Sequence, residues 1–262
     1  MSGAPDKEMS FWDHLEVLRW SLFRAGGVLI VAVIGCFIAL PYIFDSFILG
    51  PCSGDFFLYR WIGSLMGGNR ATQWLTATDF TVNIISINVT TQFMTHIKAA
   101  FSLALVVTFP YLMYEIWRFI APALFPDEKK NVSSAFLLGT VMFFLGCALG
   151  YTVIFPFTLR FLTQYTIGSG IVNQISLDSY MHTFTTMILI MGIVFEMPLL
   201  VWLLSRLGVL TKATLKKYRR HAIVVLLILA AWITPTGDPF TLMVMFLPLY
   251  LLYEFGILLA VK

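Results

Sequence analysis

Six stretches of the chain are almost free of charge and are long enough, or nearly so, to cross a bilayer as helices. They are Ala25–Phe44, Ala99–Phe119, Val132–Phe157, Tyr180–Leu204, Ala222–Pro235 and Phe240–Leu259. A hydrocarbon core of about 30 Å needs about 20 apolar residues in a helix. The runs are continuous rather than alternating, which predicts helices and argues against a barrel. The fifth run is the short one. Its apolar part, Ala222 to Ile233, is a dozen residues, and at the rise of an α-helix it covers only ~18 Å. The turn Thr234-Pro235-Thr236-Gly237-Asp238-Pro239 then reverses the chain. This hairpin is expected to stop short of the far surface, with the bilayer thinned or with Asp238 low in a wet depression.

Prolines lie inside four runs, at Pro110, Pro156, Pro198 and Pro248. Each removes an N–H and crowds the carbonyl four residues back, so kinks are expected. Between the first two runs lies a long loop, residues 45–98, with glycines at Gly50, Gly54, Gly63, Gly67 and Gly68. It reads as an ordered cap, and Ile85-Ser86-Ile87-Asn88-Val89 alternates as an extended strand would. The remaining pieces are an N-terminal segment, residues 1–24, and loops at 119–131 and 205–221. Together they make one domain over residues 1–262.

Charge orients this arrangement. With six spans both termini share a side, and that side holds thirteen of the Lys and Arg residues against four on the other. The excess places both termini in the cytoplasm. The N-terminus carries Asp6, Glu8, Asp13 and Glu16 beside Lys7, and no small-residue cleavage site follows. The first run is therefore a retained span rather than a secretion signal.

Composition agrees. Hydrophobic residues make up 59% of the chain and charged ones 12%, against ~45–50% and ~25% in soluble domains. Too little polar surface is present to coat a water-soluble globule, so lipid is the solvent for much of it. A net charge of +3 gives no sign of nucleic-acid binding. Cys36, Cys52 and Cys147 lack metal-ligand spacing, and His14, His96, His182 and His221 are scattered, so no metal site or cofactor is expected. No motif of nucleophile, phosphate loop or zinc hydrolase appears, which argues against an enzyme.

Charged groups inside lipid are costly and usually have a function. Glu196, two residues before Pro198, is the clearest, in a turn whose Val194 carbonyl the proline frees. Glu115 and Glu254 lie beside Tyr114, Trp117 and Tyr253. As aromatics mark the interface, both acids are expected simply to reach water. Glu16, Asp127 and Glu128 sit among cations, and Glu16 with Arg19 makes a weak helix pair three residues apart.

Several strings resemble one family, the TatC subunit of the twin-arginine protein translocase. The most specific is Pro110 to Lys130, PYLMYEIWRFIAPALFPDEKK. Supporting strings are His14-Leu15 through Leu18-Arg19, Phe195-Glu196-Met197-Pro198, Ile233 to Pro239, and Tyr253-Glu254. They occur in family order and cover essentially the whole chain. The resemblance implies an all-α membrane protein of six transmembrane helices. These form a kinked, concave, glove-like bundle with short fifth and sixth spans, in the inner membrane of a bacterium. It implies a receptor for twin-arginine signal peptides of folded precursors. Single-span TatA- and TatB-type partners and further copies of the chain would assemble with it, and the proton-motive force would drive export.

By position, the resemblance implies a signal-peptide site at Glu128 with Phe119, Pro122 and Asp127. Arg19 matches the arginine of an N-terminal Glu-Leu-Arg motif, and Glu16 stands nearby. Glu196 with Pro198, Asp238, Pro51, Pro110 and Glu254 would serve the membrane interior and its partners. The motif's glutamate falls on Val17. Glu16 is turned ~100° away on a helix, so either it reaches across or one signal arginine lacks an acid. Leu242 stands where some members have glutamine. A proton-coupled transporter of a small solute is the other reading, although no internal repeat supports it. An intramembrane hydrolase comes third.

Overall fold

Apolar runs become helices here, and where a run contains a proline the helix either breaks or carries the proline through. The computed structural model describes residues 11–66, 80–120, 129–168, 170, 173–234 and 236–260. The first helix, α1, spans Phe11–Ile43 and passes through a π turn at Phe44–Ile48 into a tight 3-10 turn at Gly50–Cys52. Then follow α2 (Phe57–Met66), β1 (Ile84–Ile85), α3 (Thr91–Ile120) and α4 (Lys129–Leu149). A π turn at Gly150–Ile154 joins α4 to α5 (Phe155–Gln164). Next come β2 (Ile175–Ser176), α6 (Leu177–Val194), α7 (Met197–Arg206), α8 (Lys212–Lys217), α9 (Arg219–Ile233) and α10 (Pro239–Leu259).

Among the described residues, five segments are long and apolar enough to cross a membrane: Leu15–Cys52, Thr91–Phe119, Phe136–Gln164, Leu177–Arg206 and Pro239–Leu259. The short fifth run is α9, whose 15 residues reach only ~22 Å. The last run is not short. With 21 residues, α10 reaches ~31 Å, the thickness of a hydrocarbon core. The helix begins at Pro239, directly after the turn, and so uses every residue of the run.

The prolines divide into two kinds. At Pro198 the helix stops and restarts. The N–H groups of Phe195 and Glu196 bond back to Met191 and Ile193, and Pro198 occupies the first turn of α7, where its missing N–H costs nothing. Pro156 begins α5 just after a π turn, where the extra residue accommodates the lost bond. Pro110 and Pro248 ride inside unbroken α3 and α10. A fifth proline, Pro41, lies inside α1. Its ring removes the donor for the Phe37 carbonyl, and His96 of α3 takes that place, with Nε2 at 2.8 Å. A carbonyl only accepts, so Nε2 carries the hydrogen. The imidazole also stacks on the Phe37 ring at 3.9 Å.

The core lies where the two halves of the third and fourth segments meet α10. Ile154, Phe155, Tyr180, Met187, Met191, Met245 and Leu249 are all nearly inaccessible there. Small residues let α4 and α6 approach closely. A Cβ on Gly146 would lie 2.5 Å from the Met191 carbonyl, and one on Gly192 would lie 2.6 Å from Cys147 Sγ. By contrast α1 packs mainly on α3, through Cys36 against Ala100 and Ala104.

The first long loop is ordered where it is described. Val82 N–H bonds to the Cys52 carbonyl, and Gly54 N–H to that of Phe80. The strand expected at residues 85–89 is shorter and begins one residue earlier. Ile84 and Ile85 pair in parallel with Ile175 and Ser176, tying the first loop to the second. Arg160, counted by charge as a surface cation, is wholly buried. Its guanidinium lies 4.5 Å from the ring centres of both Tyr59 and Phe80. The Tyr59 hydroxyl bonds to the Pro51 and Pro156 carbonyls. An aromatic sandwich of this kind attracts the cation through its ring quadrupoles.

Candidate functional site

At the end of the bundle where α1 begins and α3 ends, a cleft of about 370 Å³ is lined by Glu16, Val17, Trp20, Arg24 and Arg118. Glu16 and Arg19 pair at 3.5 Å with both side chains 62% exposed, the weak helix pair expected from their spacing. Val17 faces this cleft and Glu16 shares its lining. Phe119, one residue beyond Arg118, is half-buried. Pro122, Asp127 and Glu128 lie outside the described residues.

One turn and more into the helix, Arg24 clamps α1 to α3. Its Nε and Nη2 donate to the two oxygens of Glu115 at 2.9 Å each, and Nη2 also donates to Ser21 Oγ at 3.0 Å. Tyr111 adds its hydroxyl to Glu115 Oε1 at 2.9 Å. The bidentate fork is the strongest form of such a pair. Glu115 is therefore not an interfacial acid reaching water. It is only 4% exposed, because a guanidinium and a phenol replace the water it would otherwise need.

Glu196 has the opposite surroundings. It is 8% exposed and occupies the break between α6 and α7. Its carboxyl lies against Gly139 of α4, where an added Cβ would be 3.1 Å from Oε2 and 2.7 Å from Leu199 Cδ2. The same Cβ would lie 3.6 Å from Met113 Cε, and Met113 packs with Trp117 and Leu199, with Phe109 and Trp202 against them. Neither oxygen of Glu196 has a hydrogen-bond partner among the described residues, and the same holds for Trp117 Nε1 and Thr140 Oγ1. The sequence placed a lone acid here, and the structure adds that a glycine makes room for it.

The remaining candidates have structural tasks. Pro51 is buried in the turn after α1 and accepts from Tyr59. Pro110 lies inside α3, five residues before Glu115, and helical spacing puts it on the face of Met113 and Trp117 rather than on that of Glu115. Glu254, whose side chain is 30% exposed, reaches water as expected but is also paired. It accepts from Arg219 Nη2 at 2.7 Å and joins α9 to α10. Asp238 caps α10. Its Oδ1 accepts from Thr241 N–H at 2.7 Å, and its Oδ2 from the Thr236 hydroxyl at 2.6 Å. Burial pushes this carboxyl up, but the bonds from Thr236 and Thr241 outweigh it and hold it below its ordinary value. The Asp-Pro pair before an apolar run was a legible cap signal. Among the described residues no group of three potential metal ligands occurs.

A sequence model of the family described as Sec-independent protein translocase protein (TatC) matches residues 13–248. The chain belongs to the TatC family. Its TatC relatives include that of Blattabacterium sp. subsp. Periplaneta americana, 34% identical over 253 residues, 95% of this chain and 94% of the relative. Another is that of Helicobacter pylori J99, 35% identical over 248 residues, 94% of this chain and 87% of the relative. Two crystal structures of the twin-arginine translocase receptor TatC share the fold. One is 27% identical, with a TM-score of 0.70 over 94% of this chain and 97% of that one. The other, in DDM, is 26% identical, with a TM-score of 0.74 over 95% and 100%.

Membership makes the chain an integral membrane subunit of a Sec-independent protein translocase, in a family of transport proteins rather than catalysts. Within that frame, the strings that carry the resemblance map to unlike places. Glu196 and Pro198 fall at the helix break, Asp238 at a helix start, and Glu254 in an interhelical pair. The TatC pattern gave no hint of the Arg24–Glu115 clamp. The only signal for it was an arginine just before the first apolar run and a glutamate just inside the end of the second.

Proposed function

We propose that this chain is the receptor subunit that binds twin-arginine signal peptides of folded precursors at the cytoplasmic face of a bacterial inner membrane. In this reading α9 is a sixth, short span, both termini are cytoplasmic, and the bundle is concave. The two signal arginines dock on Glu128, with Asp127, Phe119 and Pro122 around it, and on Glu16 at the rim of the cleft beside Arg19. The apolar part of the signal lies along the concave face. TatA- and TatB-type single-span subunits, with further copies of this chain, then assemble around Glu196, and the proton-motive force drives passage.

The observation that carries the reading is the match along nearly the whole chain to a solved twin-arginine translocase receptor. Two features support it. Glu16 is exposed and lines a cleft at the end of the bundle where α1 begins, and Glu196 offers a carboxyl without a partner among the described residues.

The test is binding of a twin-arginine peptide to the purified chain in nanodiscs, beside a twin-lysine control. Each charge-assisted bond contributes ~1.5–3 kcal/mol, so Glu128→Ala should weaken binding about tenfold or more. Lysine cannot reproduce the planar fork, so the control should bind worse. A drop in Glu16→Ala would assign it the task that Val17 cannot perform. Equal, weak binding of both peptides to wild type and variants would sink the proposal.

A further inference from the structure

The cleft at the start of α1 has two ends of opposite chemistry. Glu16 lies at the rim, and Arg24 is eight residues further along, ~12 Å deeper on the helix axis. Arg118, from the last turn of α3, lines the same cleft. Glu16 is matched by Arg19 and Glu115 by Arg24, whereas Arg118 makes no ion pair among the described residues. Among the described residues the deep end therefore carries one guanidinium without an acid, that of Arg118. That surplus charge repels a guest arginine and attracts an anion.

Arg24 is already held in place for such a guest. Its Nε and Nη2 are taken by Glu115 and Ser21, while Nη1 makes no hydrogen bond among the described residues. A guanidinium fixed on one side and free on the other loses little freedom when it binds. Depth indicates the source of the anion. Arg24 directly precedes the apolar run that begins at Ala25, and Arg118 stands at the end of the run that closes at Phe119. Both lie where hydrocarbon meets headgroups. Trp20 in the cleft wall is 54% exposed, and Leu22 and Phe23 are exposed on α1 just below it. An aromatic at headgroup level above apolar surface suits a glycerol backbone and its acyl chains.

We propose that the deep end of this cleft binds the phosphate of one anionic phospholipid between Arg24 and Arg118, with Trp20 against its glycerol region. Glu16 at the rim then stays available for a cation. The proposal rests on the cytoplasmic placement of this end given above, but not on the identity of any peptide. Basic pockets between spanning helices on that side are suited to anionic headgroups.

The experiment is native mass spectrometry of the chain released from nanodiscs of mixed phosphatidylglycerol and phosphatidylcholine. Wild type should retain one phosphatidylglycerol in preference to phosphatidylcholine. Arg118→Gln, at an exposed position, should cut that retention about tenfold, the loss expected for one charge-assisted contact. Arg118→Lys should restore part of it, and Arg60→Gln, outside the cleft, should leave it unchanged. Excess inorganic phosphate should not displace the lipid. Equal retention of both lipids, or full retention in Arg118→Gln, would overturn the proposal. Displacement by inorganic phosphate would replace the lipid with a free anion and also overturn it. Twin-arginine peptide binding is measured on the same nanodiscs. If the peptide fails to bind while phosphatidylglycerol is retained, the receptor reading falls and the lipid site stands.

Discussion

Glu115 and Glu196 are both buried acids in helices of one bundle, at 4% and 8% exposure. Met113, two residues from Glu115, lies beside Gly139, as the Glu196 carboxyl does. Hydropathy would place the two in one class. Their partners do not. Glu115 receives a bidentate arginine and a tyrosine hydroxyl, whereas Glu196 receives nothing among the described residues. A buried acid with a full set of donors fixes one helix on another. A buried acid without donors lowers stability, and that cost is offset only when something else arrives. Burial alone does not distinguish a rivet from a docking point.

The largest effect should come from breaking the clamp. Arg24→Ala takes both guanidinium bonds from Glu115, which should show as the largest fall in the thermal midpoint in detergent among these substitutions. Replacing both residues by leucine should recover most of the loss, because both desolvation costs vanish together. A wild-type midpoint in Arg24→Ala would mean that the pair holds nothing.

Glu196→Met should move stability the other way. Removing an unpaired buried polar group is expected to stabilise by about 1–3 kcal/mol, while export of a twin-arginine precursor in cells collapses. A stability loss as large as that of Arg24→Ala would erase the contrast between the two acids. Unchanged export would remove Glu196 from partner assembly.

Asp238 offers a milder case, an acid whose donors lie at a helix start. Asp238→Ala should cost about 1 kcal/mol as a lost cap, whereas Asp238→Asn should keep most of it. Its folded carboxyl titrates below the unfolded value of about 3.9. Its contribution is thus complete above that value and is lost as pH falls through the folded one. Acid titration of stability should show this component in wild type and lack it in Asp238→Asn.

The Glu16–Arg19 pair should matter least for stability. With both side chains 62% exposed, separating them should cost at most ~0.5 kcal/mol, and salt should erase even that. A larger cost, measured by a double-mutant cycle, would mean that the rim is stiffer than its exposure implies.

Much of the fold was legible in the chain. Continuous apolar runs marked the helices, the dozen residues after His221 marked a short one, and Pro198 marked a break. Glu196 was legible as a buried acid, since no polar neighbour in sequence could carry it to water. Other features were misread for identifiable reasons. Asp238 carried a cap signal in its Asp-Pro pair, which went unread beside the question of its depth. Arg160 was counted as a surface cation, because the two rings that bury it come from residues 59 and 80. His96 looked idle, because the carbonyl it serves is freed by Pro41 on another helix.

The sequence by itself determined which segments leave water and where the chain can bend. Hydropathy and proline chemistry act on a few consecutive residues and need no knowledge of the rest. Only the tertiary structure decided which buried charges are satisfied. Arg24 and Glu115 are 91 residues apart, and a hydrogen bond tolerates an error of only a few tenths of an ångström. Whether such a pair forms depends on how α1 and α3 pack, which no local pattern records.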